Sequence, residues 1–189
     1  MESNSVVLRR TALLAPVLLL TYGVLRFFDG LDGDRGNGPL WTVGHLAFFA
    51  GMALFAVLAV AVRNTFPAGR RRVATIATGA SLAGVAAFLW VIAGDLSDGF
   101  REAAPLPDAL EKAGPMLFPL GVLVLFGLMV AARLLPVWTP LLFGLGIAGI
   151  TVNLNLLPFA ALTILVALMP LRRGTGPRHL RPGRATLVH

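Results

Sequence analysis

The chain has 189 residues, 57% hydrophobic and only 13% charged, against about 25% charged in an ordinary soluble domain, so a bilayer must cover much of its apolar surface. The absence of cysteine excludes disulfide staples, thiol catalysis, cysteine-ligated zinc and iron–sulfur clusters. The net charge of +7 does not point to nucleic acid, because the arginines stand in short clusters between apolar runs and form no basic stripe interleaved with aromatics.

In chain order, one apolar run lies between Arg10 and Asp29 and a second between Pro39 and Arg63, each near the ~20 residues a helix needs to span a bilayer. The first ends in Arg26-Phe-Phe-Asp29 with no small-residue cleavage site, so it reads as a retained span and not as a signal peptide. Val73 to Gly94 is the third run and Gly114 to Ala132 the fourth. From Val137 to Leu171 the chain stays apolar; as one straight helix this segment would measure ~50 Å against a hydrocarbon core of ~30 Å. It must fold back, and the place is Asn153 to Pro158, where Asn153 and Asn155 favour a turn and the proline opens a new helix.

The expected fold is all-α, a polytopic transmembrane bundle of six spans. Residues 1–10 form a cytoplasmic N-terminus, 11–171 the six-span domain and 172–189 a basic cytoplasmic tail. Positively charged loops stay inside, and six spans place Arg9, Arg10, Arg63, Arg70, Arg71, Arg72, Arg133 and the tail arginines from Arg172 to Arg184 on that side. The outside then receives Arg26, Arg35, Arg101 and Lys112 with every acidic residue except Glu2. The expected location is the cell membrane with both termini cytoplasmic.

The two acidic outer loops echo each other. Asp29, Asp32, Gly33, Arg35, Pro39 and Leu40 repeat the spacing of Asp95, Asp98, Gly99, Arg101, Pro105 and Leu106. With the second loop four residues longer, Gly44, Phe48, Gly51 and Arg63 align with Gly114, Phe118, Gly121 and Arg133. The pattern predicts a duplicated helical hairpin with copies pointing the same way, as in some transporters; the competing account is a coincidence of common turn fragments. Small residues one turn apart, such as Ala47/Gly51, Ala80/Gly84, Gly127/Ala131 and Gly144/Ala148, predict close helix packing within the bundle before a homo-oligomer face.

Chemistry-bearing residues are few. His45 is the only histidine inside a span, and an ionisable group in lipid is costly enough to suggest a role; hydrogen bonding to a neighbouring helix would equally account for it. As a general base it would draw on Asp29 or Asp95, making these three the catalytic candidates. Tyr22, Arg26 and Asp29 share a helix face by spacing, which predicts an Arg26–Asp29 ion pair, with reception of an anionic head group or substrate by Arg26 as the alternative. The candidate ligand-binding set is Tyr22, Arg26, Asp29, His45, Asp98, Asn153 and Asn155, all at outer span ends.

No cofactor or metal is expected. Bis-histidine haem would need a second intramembrane histidine, a retinal Schiff base an intramembrane lysine, and the aspartates of the first loop lack calcium-loop order. No nucleophile-elbow, HExxH, P-loop or dinucleotide fingerprint occurs. Three functions follow in order: binding of a lipid-like or small apolar molecule, or of a membrane protein partner, at an extracytoplasmic cleft; a membrane enzyme acting on an amphiphilic or isoprenoid substrate; and a small oligomeric transporter. Membrane lipids are partners under all three.

Overall fold

The computed structural model describes residues 2–31, 36 and 38–172. Asp32, Gly33, Asp34 and Arg35 of the first acidic loop and the basic tail beyond Arg172 lie outside the described residues. Among the described residues every regular element is helical: α1 Glu2–Asp29, α2 Pro39–Arg63, α3 Arg71–Leu96, α4 Asp98–Ala103, α5 Asp108–Ala113, α6 Leu117–Ala131, α7 Trp138–Val152 and α8 Leu157–Arg172. Short 3-10 turns precede α3, α6 and α8.

The helices begin and end where local chemistry dictates. Gly38, with φ of 103°, takes a backbone conformation that side chains disfavour, and Pro39 follows in the first turn of α2. Ser97 ends α3 and caps α4, its Oγ accepting the Phe100 N–H at 3.2 Å. Arg133, with φ of 58°, closes α6 as the Leu134 N–H reaches back to the Met129 carbonyl at 2.9 Å and the Arg133 N–H to Val130 at 2.8 Å. At Asn153 the backbone turns extended, and its side chain accepts the Asn155 N–H at 2.9 Å, so the long apolar stretch breaks there into α7 and α8.

Five helical segments are long and apolar enough to cross a membrane: Asn4–Asp29, Pro39–Arg63, Ala68–Leu96, Asp108–Ala131 and Leu154–Arg172. Trp138–Val152 is apolar but has 15 residues, so it measures only ~22 Å. These helices are apolar on all sides: Ile76, Leu141, Phe159 and Val152 face outward, while Phe55, Phe126, Phe143 and Leu168 are fully buried. That distribution belongs to helices in lipid.

The long helices pack in a closed ring. Going round it, α1 contacts α2, α2 contacts α3, α3 contacts α6, α6 contacts α7, α7 contacts α8, and α8 returns to α1. The α6–α7 seam is the sparsest of these contacts. Small residues set the tightest crossing, between α3 and α6: a methyl on Gly84 would strike the Phe118 backbone, and one on Gly121 would strike the Ala77 carbonyl and Ser81. Ser81 Oγ bonds the Ala77 carbonyl at 3.0 Å in that crossing. Gly127, by contrast, has open space on its outward side.

This contrast gives a direct test. Gly121→Ala must push backbone apart and is expected to cost about 1–3 kcal/mol, seen as a lower thermal midpoint in detergent. Gly127→Ala places its methyl in open space and gains helix propensity of up to ~1 kcal/mol. Equal midpoints for the two variants would contradict the close α3–α6 crossing.

Candidate functional site

The ring encloses a cavity of about 370 Å³. Each helix lines it with residues at one-turn spacing: Leu19, Tyr22 and Arg26 from α1; Trp41, His45, Phe48, Met52 and Phe55 from α2; Phe88, Ile92 and Asp95 from α3. Phe118 and Pro119 of α6, Phe143, Ile147, Ile150 and Thr151 of α7, and Leu157 and Ile164 of α8 line the rest of it, with Val91, Met116 and Leu154. Such three- and four-residue steps keep side chains on one helical face.

The cavity is graded from end to end. Its depth is aromatic and aliphatic, with Phe55 and Phe118 rings at 5.3 Å and Phe118 and Phe143 at 6.3 Å. Its polar groups gather at the end formed by the C-termini of α1 and α3 and the N-terminus of α2, where Tyr22, Arg26, Trp41, His45 and Asp95 stand. Tyr22 stacks on Phe48 with parallel rings at 4.6 Å and presents its ring against the His45 imidazole at 5.1 Å.

His45 is 2% exposed and has protein groups facing both ring nitrogens. Nδ1 lies 2.9 Å from the Trp41 carbonyl, an oxygen that can only accept, so Nδ1 donates there. Nε2 faces Asp95 Oδ2 at 3.7 Å. Asp95 Oδ1 receives Arg101 Nη2 at 2.6 Å, and the Asp95 backbone carbonyl accepts the Trp41 indole N–H at 3.2 Å. A closed polar loop thus joins α2, the end of α3 and α4. A histidine base held by a carboxylate needs one nitrogen on the carboxylate and the other toward substrate; here a backbone carbonyl occupies the second direction. The arrangement positions the ring and the mouth of the cavity.

Of the residues singled out from sequence, Tyr22, Arg26, His45 and Asp95 line this cavity, whereas Asp29, Asp98, Asn153 and Asn155 are not part of its wall. Asp29 is buried at the end of α1, with Oδ2 lacking a hydrogen-bond partner. It forms no ion pair with Arg26, which corrects the expectation from spacing. Arg26 instead interacts with the Tyr22 hydroxyl one turn earlier, where the bundle interior offers a polar group. Asp98 is exposed in the first turn of α4, and Asn153 and Asn155 are exposed at the turn before α8. The His45–Asp95 approach joins two residues on successive helices. Phe88, Phe143 and Ile147 were not singled out from sequence, their only signal being helical spacing inside uniformly apolar runs, and Phe118 was marked only by its alignment with Phe48.

A second hollow of about 240 Å³ lies beyond the Asp95–Arg101 pair, bounded by Trp90, Phe100, Leu106, Asp108 and Glu111. Asp95 borders both spaces. Among the described residues, no three His, Asp or Glu side chains come together as a metal-binding group.

No protein-family model, no curated protein and no solved structure matches the chain.

Proposed function

We propose that the protein is a six-span membrane protein of the cell membrane that binds a lipid-like or small apolar molecule in its central cavity. The observation carrying this reading is the cavity itself: about 370 Å³, walled by aromatic and aliphatic side chains from every helix of the ring, with polar groups confined to one end. Small-molecule sites have this character, a mostly apolar wall with a few placed polar groups and a volume of ~300–1,000 Å³. The volume is at the small end of that range, which suits a single tail or compact ring system and not a diacyl lipid. The sparse α6–α7 seam, whose helices are joined by chain only at the arginine-bearing end, offers access from the bilayer.

Two other readings have less support. A His45 base lacks a nitrogen turned toward substrate. A transporter calls for polar groups along a path through the membrane, and the buried hydroxyls of Thr78 and Ser81 are spent on the carbonyls of Ala74 and Ala77.

In the proposed topology α7 is the fifth span, its short length met by local bilayer thinning or by its neighbours, and both termini lie in the cytoplasm with the arginine-bearing ends. A hairpin duplication accounts for the echo. Tyr22 and Phe88 each stand seven residues before the matched aspartates Asp29 and Asp95, and they meet the aligned pair Phe48 and Phe118 at 4.6 and 6.2 Å. Gly51 packs on Ala15, and the aligned Gly121 packs on the corresponding Ser81.

Reporter fusions after Gly36, Glu102 and Arg178 test the topology: external signals at the first two and an internal signal at the third are expected, and an external signal at Arg178 would refute six spans. Decan-1-ol tests the cavity. It is expected to raise the thermal midpoint of the detergent-solubilised protein in a concentration-dependent manner, and Ile147→Trp, which fills the space, should remove the response. No response in the wild-type protein, or an equal response in the variant, would overturn the reading.

A further inference from the structure

The charges around the cavity do not balance from within. Its wall holds two charged side chains, Arg26 and Asp95. The Asp95 carboxylate is already engaged, with Arg101 on one oxygen at 2.6 Å and the His45 ring facing the other at 3.7 Å. Arg26 has no such partner: among the described residues no carboxylate lies within ion-pair distance of it, although Asp29 stands three positions along the same helix. Its Nε is buried without a hydrogen-bond acceptor, and the hydroxyl of Tyr22, one turn earlier on the same helix, interacts with the guanidinium. A buried guanidinium N–H without an acceptor is unfavourable, and a guanidinium can only donate.

What would complete this end is an anion held by Arg26 with Tyr22 beside it, and what the rest of the cavity accepts is hydrocarbon. Building on the proposed binding of a membrane-derived molecule, we propose that the ligand is a single-tailed amphiphile with an anionic head, a carboxylate or phosphate, its head on Arg26 and Tyr22 and its tail toward Phe118, Phe143 and Ile164. The pairing of head to arginine follows from the fit of guanidinium to carboxylate and phosphate oxygens. The direction of the tail follows from the grading of the wall.

Isothermal titration of the wild-type protein in nanodiscs, with empty nanodiscs as the blank, compares decanoate, decan-1-ol and inorganic phosphate. Decanoate is expected to bind about tenfold tighter than decan-1-ol, the scale of one charge-assisted hydrogen bond, and phosphate without a tail should not bind measurably. Arg26→Gln should bring decanoate down to the affinity of decan-1-ol for the same variant, and Arg26→Lys should retain part of the preference. Equal affinity for acid and alcohol would overturn the anionic head group yet leave the apolar cavity standing. Phosphate binding as tightly as decanoate would reduce the site to a plain anion site and overturn the amphiphile. Failure of both decanoate and decan-1-ol to bind would overturn the cavity reading itself.

Discussion

Closure of the ring by α8 against α1 is the constraint on which the cavity depends. The contact is close because Gly23 of α1 has no side chain where Leu157 and the Pro158 backbone nitrogen pass it, at 3.0 Å from a would-be Cβ in the case of that nitrogen. Leu157 is buried there and faces the cavity. The helix can reach this place only because the chain turns at Asn153, whose side chain ties down the Asn155 N–H. Without that turn α8 could not lie beside α1, and the cavity would be a groove open to lipid.

In lipid no hydrophobic force drives one apolar helix face inward over another, so close packing and a few polar contacts decide the arrangement. The α3–α6 crossing at Gly84 and Gly121 represents the first kind of contact. The loop through Trp41, His45, Asp95 and Arg101 represents the second. Arg101 is 59% exposed and Asp95 31%, so their ion pair contributes little stability, on the order of 1 kcal/mol or less. Its consequence is geometric: it holds α4 over the end of α3, turns the Asp95 carboxylate toward His45 and leaves Arg26 as the cation at the mouth whose charge is not met by a described carboxylate.

Helix limits were largely legible in the sequence. The run between Pro39 and Arg63 matches α2 to within one residue at each end, although α1 starts at Glu2, well before the apolar run that follows Arg10, and the break at Asn153 is where length, asparagine and proline required it. Ring order and the inward faces were not legible, for a physical reason. Phe143 is fully buried and Leu141, two residues earlier, is 66% exposed, yet both are large and apolar, and in a bilayer that chemistry suits either side. Polar residues were legible as a group toward the ends of helices but not in their pairings. Asp95 falls within α3, which continues to Leu96, and so points across to α2; Asp98 falls after the Ser97 cap and starts a separate helix. The Arg26–Asp29 spacing permits an ion pair, but spacing does not register that Tyr22 competes for the guanidinium from the bundle side.

On the proposed function, the inner face of the ring bounds a ligand cavity distinct from the lipid-facing surface. Because the chain contains no cysteine, a single introduced thiol reports on one place. Ile147→Cys puts it on the cavity wall, and Leu145→Cys puts it on an outward face that is 63% exposed. The measurement is the rate of N-ethylmaleimide labelling of each variant with and without saturating decan-1-ol. The account predicts strong protection at position 147 and none at 145; equal rates at 147 with and without the alcohol, or equal protection at both positions, would contradict it.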